Sequence, residues 1–367
     1  MLKGKTLVEM AQTLEDLRAN ARDFVVPVER MKMDVIETED KAQAANVITF
    51  PNGDGNGQHA VVPNKWAGRQ IANYCDIPGQ YYDRLASENP KLLSDNVNHG
   101  LAKGHGEDTR MLRTYKGQMR ACLSSKFRRM DSYDLLNTAM PVMIENEFTV
   151  ESSELTEKRF YMKAVTAKVQ GEVKKGDVVQ YGLVISSSDV GAGSLRIEPL
   201  IYRLACLNGM VSSHTLRKFH IGRDQAESDV YELVTDETRQ LTDAAFWAQV
   251  RDMIISTMKP ENFERELNRL RLAAELPIKN FNIPEVVELA AKALGTAGQK
   301  EVQENIVAYL ANGADGAGLT KWGLINGFTW AAQQKGMDYD NSVELERAAS
   351  KILDLPANQW RRITEAA

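Results

Sequence analysis

The sequence has few cysteines and no long apolar run. Its 367 residues include three cysteines, Cys75, Cys122 and Cys206, which lie far apart and form no CxxC motif. An odd number of scattered cysteines gives no disulfide framework and is typical of a reducing cytoplasm. No apolar run reaches the roughly 18 residues of a membrane-spanning helix. We therefore expect a cytoplasmic protein that does not contact a membrane.

Sequence motifs of catalysis are also missing. No serine lies in a GxSxG motif, and the basic part of the chain has no paired carboxylates at catalytic spacing. The segment Asp189–Ser194 (DVGAGS) lacks the Gly-Lys-Ser/Thr ending of a phosphate-binding loop, so it is interpreted as a connection between strands. His214 and His220 have no third metal ligand near them in the sequence. We expect a protein that is not an enzyme and that needs no cofactor or metal ion.

Apolar periodicity and turn residues divide the chain into three parts. Residues 1–107 mix helices with strands, residues 108–223 form a basic, strand-rich core, and residues 224–367 form an acidic helical region. The predicted fold class is α+β, with a central mixed or antiparallel sheet that carries a basic β-hairpin. N-terminal helices flank this sheet, and the C-terminal third is all-helical. The strands from Thr109 to about Leu207 are expected to share one sheet.

Charge is distributed unevenly along a chain whose net charge is −5. Residues 110–223 hold 18 Lys and Arg against 11 Asp and Glu, a net charge of +7. Residues 224–320 hold 9 Lys and Arg against 17 Asp and Glu, a net charge of −8. This split indicates a basic working face beside an acidic region that is solvated or faces a partner. It also allows head-to-tail contacts between copies of the chain, so we expect a homo-oligomer.

The stretch Leu112–Arg129 (LRTYKGQMRACLSSKFRR) holds six Lys and Arg and no acidic residue. A two-residue turn at Lys116-Gly117 would make it a hairpin in which Arg113 faces Arg120. A three-residue loop would instead place Leu112 opposite Arg120. The two-residue turn gives the cleaner apolar face, which is formed by Leu112, Thr114, Met119, Ala121 and Leu123.

Arginines that face each other across a hairpin repel, so Arg113 and Arg120 require a compensating anion. An acid elsewhere in the fold or a phosphate of a ligand could supply it. Cations that follow a backbone, with aromatic rings between them, suit the binding of a single-stranded nucleic acid. The candidate binding residues are Arg113, Tyr115, Lys116, Arg120, Lys126, Phe127, Arg128, Arg129, Arg196 and Arg203.

A structural interpretation of the same cations stays open. Basic strands often pair with acids of neighbouring elements, and here the acidic C-terminal third could provide them. A second basic group in the same unit favours the binding interpretation, because only Glu198 opposes it. This group consists of Arg196, Arg203, Arg217, Lys218 and Arg223.

Three motifs resemble the phage/plasmid-like protein family that is catalogued as domain of unknown function 932. They are RTYKGQMRACLSSKFRRMDSYDLL, GLVISSSDVGAGSLRIEPLIYRLACLNGMV and LTKWGLINGFTWAAQ, in this order. The resemblance covers most of the chain from about Val61 and implies a protein of phages, prophages or plasmids, located in the cytoplasm of a bacterial host cell. A distant likeness to the single-strand annealing proteins of recombination implies rings or filaments that bind DNA in a basic groove without a cofactor.

Together, the basic stretch and the resemblance predict a single-stranded DNA-binding protein, with strand annealing in DNA recombination as its role. The alternative is an oligomeric interaction or regulatory protein, for example one that acts on host defence. In that case the basic face would bind an acidic protein partner.

Overall fold

The computed structural model describes residues 1–37, 44–52, 57–103, 108–212, 217–219 and 236–365, of which 217–219 and 236–241 are described as backbone only. Helices and strands mix in the first part of the chain, and the described residues from 236 onward form helices. The helices are α1 Leu7–Asn20, α2 Lys65–Tyr74, α3 Gly79–Glu88, α4 Pro90–Ala102, α5 Ser132–Glu145, α6 Asp236–Thr257, α7 Pro260–Glu275, α8 Ile283–Leu294, α9 Lys300–Ala311, α10 Lys321–Ala331, α11 Tyr339–Lys351 and α12 Ala357–Thr364.

The strands form two separate sheets. They are β1 Ala21–Pro27, β2 Lys32–Glu37, β3 Ala44–Pro51, β4 Gln58–Pro63, β5 Thr109–Tyr115, β6 Gln118–Ser124, β7 Thr149–Leu155, β8 Phe160–Lys174, β9 Asp177–Ser187, β10 Leu195–Arg203, β11 Asn208–Val211 and β12 Arg217–Phe219. The predicted α+β class and the helical C-terminal third are confirmed.

The first sheet has the strand order β1-β5-β6-β4-β3-β2. Helices α2, α3 and α4 cover one of its faces, where Phe50, Ile71, Leu93 and Leu112 share a buried cluster. Pro27 lies at the end of β1, which is an edge strand of this sheet. Proline has no N–H to donate to a neighbouring strand, so Pro27 in the sequence predicts an edge strand.

The second sheet has the order β11-β10-β9-β8-β7, and β12 pairs with β10. One buried cluster of this sheet joins Phe160, Leu183 and Ile197 to helices α1, α5 and α6. On the opposite face, Lys163 of β8 donates to Glu346 of α11 at 2.6 and 2.8 Å. The remaining C-terminal helices pack against the end of the sheet around a large apolar cluster that includes Tyr181, Ile201, Trp322 and Phe328.

The hairpin β5–β6 belongs to the first sheet, so the prediction of one sheet from Thr109 to Leu207 is wrong. Strand β5 pairs with β1 along its whole length, from Ala21 opposite Tyr115 to Pro27 opposite Thr109. The reason is that both faces of the hairpin are buried, whereas the prediction assumed one. In a strand that is buried on both faces, apolar and polar residues do not alternate, so the sequence does not show which strands lie beside it. The boundary placed between residues 107 and 108 therefore falls within this sheet.

The predicted turn of the hairpin is confirmed, but its register is not. Lys116 and Gly117 adopt φ angles of 47° and 80°, the left-handed pair that a two-residue turn requires. Tyr115 pairs with Gln118 as expected. A β-bulge then shifts the register, so that Arg113 faces Ala121 and Arg120 is the additional residue. The two arginines are therefore not opposed across the ribbon.

The turn provides a test of this backbone geometry. Replacement of Gly117 by Val should destabilise the protein by about 1–2 kcal/mol, because a side chain in the left-handed region clashes with its own backbone. No atom of the other described residues lies within 4 Å of the position of an added Cβ, so packing does not contribute. Gly298 also faces open space but has no positive φ, and Gly298→Val is the matched control. Equal urea midpoints for the two variants would contradict the assigned turn.

Candidate functional site

The hairpin faces a cavity of about 230 Å³, which is lined by Arg113 and Arg120 of its strands and by residues of both sheets' neighbouring elements. Helix α1, strand β1, the hairpin, the start of α5 and Asp189 of the β9–β10 loop contribute to its walls. We call it the arginine cavity, because five arginines and three aspartates line it. They are Arg18, Arg22, Arg113, Arg120, Arg129, Asp23, Asp131 and Asp189.

Arg113 lies at the floor of the arginine cavity, with 4% of its side chain exposed. Its Nε donates to Asp23 at 3.0 Å, its Nη2 to Asp131 at 2.7 Å and its Nη1 to the carbonyl oxygen of Asp189 at 2.9 Å. Burial acts to lower the pKa of Arg113, but the carboxylates of Asp131 and Asp23 outweigh it and hold the pKa above its ordinary value. Arg113 is therefore a buried, fully charged member of the fold.

The loop between β9 and β10 joins this ion network to the first sheet. The Asp189 carboxylate accepts from the backbone N–H of Ser132 at 3.0 Å and from its hydroxyl at 2.7 Å, so it satisfies the first turn of α5. The carbonyl of Val190 accepts from Trp66 and Gln70 of α2 at 2.9 and 2.8 Å. The interpretation of this glycine-rich segment as a connection between strands is confirmed.

Arg120, the bulge residue, has a buried side chain that is only loosely paired. Its exposed fraction is 12%, and the nearest carboxylate oxygen, Oδ2 of Asp189, is 3.9 Å away. That separation is beyond hydrogen-bond distance, and Arg120 has no other partner within the part of the chain that the structure describes. Burial lowers the pKa of Arg120, and the opposing effect of Asp189 only reduces this shift. An anion in the cavity would supply the missing partner.

Three further arginines reach the mouth of the cavity from separate elements and are exposed. Arg18 of α1 lies 4.5 Å from the ring centre of the half-buried Tyr133. Arg22 of β1 donates to two backbone carbonyls at the end of α1. Arg129 is 60% exposed and lies 3.4 Å from Asp23. Since five guanidinium groups face three carboxylates, the arginine cavity carries an excess of positive charge.

The remaining cations of the basic stretch, Lys116, Lys126 and Arg128, are not among the residues that line the cavity. Lys116, at the hairpin tip, is 2.8 Å from Asp16 of α1, which also accepts from the Tyr115 hydroxyl. Lys126 is exposed and has no ion-pair partner among the described residues. Arg128 pairs with Asp243 of α6, so one acid of the C-terminal region neutralises part of the stretch.

Phe127 and the two arginines of the second sheet do not offer an accessible binding group. Phe127 is half-buried and packs against the apolar cluster that contains Leu123 and Val190. Arg203 is 2% exposed and forms a two-pronged ion pair with Asp177, at 2.6 and 3.1 Å. Arg203 therefore stabilises the second sheet and cannot reach a ligand. Arg196 is half-buried, and its Nε has no hydrogen-bond partner among the residues that the structure describes.

Other sequence candidates fall outside the described part of the chain. These are His214, His220 and Arg223, together with the side chains of Arg217 and Lys218. Among the described residues, no three His, Cys, Asp or Glu side chains come together as a metal ion would require.

Sequence reasoning missed Arg18 and Arg22. Both lie in the N-terminal part of the chain, where nothing nearby in the sequence marks them as partners of the hairpin. Only the pairing of β1 with β5 places them at the cavity. Their positions at the end of an amphipathic helix and the start of an edge strand also fit ordinary solvated residues.

Comparisons of the chain with family models, curated proteins and solved structures gave no significant match. The resemblance to a phage/plasmid-like family therefore stays a prediction. No helix in the described ranges combines the length and the apolar character needed to cross a membrane.

Replacement of Arg113 by Gln should destabilise the protein by about 3–5 kcal/mol, because it leaves Asp23 and Asp131 without their buried partner. It relieves no repulsion across the hairpin, since Arg120 is not opposite. Arg362→Gln removes the same charge from an exposed position of α12 and should change the free energy of unfolding by less than about 0.5 kcal/mol. Urea denaturation of both variants measures the difference. A stable Arg113→Gln variant would show that the network does not support the fold.

Proposed function

We propose that the chain binds single-stranded DNA at the arginine cavity and the exposed cations beside it, without a cofactor. The observation that carries this proposal is the excess of guanidinium groups at one concave site. Asp23 and Asp131 are engaged by Arg113, and Asp189 is engaged by the start of α5. The donors of Arg18 and Arg120, and those donors of Arg129 that do not contact Asp23, are therefore available to an external anion.

Phosphate is the anion whose shape fits these donors. A guanidinium group presents its N–H groups in a planar fork that can bind two phosphate oxygens at once. Lys116 is held against α1 by Asp16, which precedes Arg18 by two residues. Lys126 precedes Arg129 by three residues, which corresponds to at most about 11 Å of extended chain. Because Asp16 neutralises Lys116, it is Lys126 and Arg129 that extend the positive surface, into the segment after β6.

A single strand fits this site better than a duplex. The guanidinium group of Arg120 is recessed within a small cavity, and a flexible strand can turn a phosphate into it. The phosphates of duplex DNA lie on the outside of a helix that is stiff over about 150 base pairs. Such a helix cannot bend locally to bring one phosphate to a recessed group. The ring of Tyr133, beside Arg18, offers a partly exposed surface for a base.

The proposal extends to strand annealing in DNA recombination by a homo-oligomer in a bacterial cytoplasm, as the resemblance implies. The alternative is a basic face that docks on an acidic protein. Because both functions would use the same exposed cations, replacing the cations does not distinguish them. A direct measurement of nucleic-acid binding does.

The salt dependence of DNA binding tests the proposal. Each phosphate contact contributes about 0.7 to the slope of log affinity against log salt for a single strand. Replacement of Lys126 and Arg129 by Gln should reduce that slope by roughly 1.4 and weaken binding to all sequences about equally. Fluorescence anisotropy of a labelled oligonucleotide at several salt concentrations measures both effects.

In the matched control, Gln replaces Arg361 and Arg362 of α12. Both side chains are exposed, and their replacement removes the same charge. This variant should keep the slope of the unmodified protein. Duplex DNA and RNA of the same sequence are measured in parallel. If no nucleic acid binds even at low salt, the proposal is wrong and the acidic protein partner is favoured.

A further inference from the structure

The arginine cavity is too small and too recessed for a run of nucleotides. Its volume of about 230 Å³ is below the lower limit of about 300 Å³ that is typical of pockets for drug-sized ligands. Its floor is closed by Arg113, whose three guanidinium nitrogens each donate a hydrogen bond to the fold. The cavity can therefore receive one anionic group, not a length of backbone.

The positive groups around this space come from different directions. Arg18 approaches from α1, Arg22 from β1, Arg120 from the bulge of β6 and Arg129 from the segment before α5. An internal phosphodiester has two unesterified oxygens and one negative charge, and each of its ends continues into a sugar. A terminal phosphate monoester has three such oxygens and a charge of about −1.5 to −2 at pH 7.

We infer that the arginine cavity binds the terminal phosphate monoester of a nucleic-acid strand. This inference rests on the proposed function and specifies which part of the strand enters the cavity. The phosphate would accept from Arg120 at the floor and from the exposed arginines at the mouth, and the strand would leave along the cations of residues 126–129. The carboxylates around the cavity do not prevent this, because Asp23 and Asp131 are paired with Arg113.

The experiment compares one oligonucleotide in three forms: with a 5′-phosphate, with a 3′-phosphate and with hydroxyl groups at both ends. At least one phosphorylated form should bind about tenfold more tightly or better than the hydroxyl form, as expected for one additional charge-assisted contact. In the Arg18→Gln/Arg22→Gln variant this preference should disappear, and the hydroxyl form, which also loses the charge of Arg18, should bind more weakly but measurably. The control variant with Arg361 and Arg362 replaced should keep the preference.

Two outcomes would overturn the inference. If the three forms bind equally, the cavity does not select a strand end, although the proposed DNA binding stands. If adenosine monophosphate alone displaces the phosphorylated strand at concentrations near the affinity of that strand, the cavity is a mononucleotide site and not a site for strand ends. Failure of all three forms to bind would instead refute the proposed function itself.

Circular dichroism and thermal unfolding test whether the Arg18→Gln/Arg22→Gln variant is folded. We expect a folded variant, because both side chains are exposed.

Because the two exposed arginines could also act as general surface cations, a second variant tests the floor of the cavity. Arg120→Lys keeps the positive charge but loses the planar fork that binds two oxygens at once. It should lower the affinity of the phosphorylated strand by a larger factor than the affinity of the hydroxyl form, so that the preference falls. A variant that keeps the full preference would show that Arg120 does not contact the phosphate.

Discussion

The guanidinium group of Arg113 connects the two sheets of this protein. It donates to Asp23 of β1, to Asp131 at the start of α5 and to the carbonyl of Asp189 in the loop after β9. Strand β1 belongs to the first sheet and the Asp189 loop to the second. Because the donors of a guanidinium group are fixed in one plane, the elements that receive them are held in a defined arrangement. A buried ion network of this kind specifies geometry more than it adds stability, and loss of one partner leaves uncompensated charge.

The same network determines the charge of the cavity. The chain has more acidic than basic residues, yet the acids at this site are used inside the fold. Asp23 and Asp131 neutralise Arg113, and Asp189 accepts from the first turn of α5. Arg120 is consequently buried beside a carboxylate that is 3.9 Å away, too far for a hydrogen bond. The positive character of the cavity thus depends on which groups each aspartate faces, and not on the composition of the chain.

Local features of the fold could be predicted from the sequence, and long-range features could not. The Lys116-Gly117 turn, the helix after the basic stretch and the Pro–Gly limits of α8 each depend on residues close in sequence. Strand β7 shows no clear apolar alternation, because its buried residues include Ser152 and Ser153, whose hydroxyls donate to backbone carbonyls of the N-terminal segment. The partners of Arg113 are up to 90 residues away, and no local pattern indicates them. The bulge at Arg120 likewise changes the register without a marker in the sequence.

The basic stretch therefore combines two physical roles that look identical in the sequence. Within the hairpin both faces are buried, so the charge of Arg113 requires carboxylate partners. These carboxylates fix the position of the neighbouring elements. After Ser124 the chain leaves the sheet, and Lys126 and Arg129 extend into solvent. A group that binds the folded state stabilises it by mass action. An anion in the cavity would therefore stabilise the arrangement that Arg113 holds. Conversely, Asp23 already lies 3.4 Å from Arg129. A change that releases Asp23 from Arg113 would leave its full charge to Arg129, and anion binding would weaken although every exposed arginine is still present.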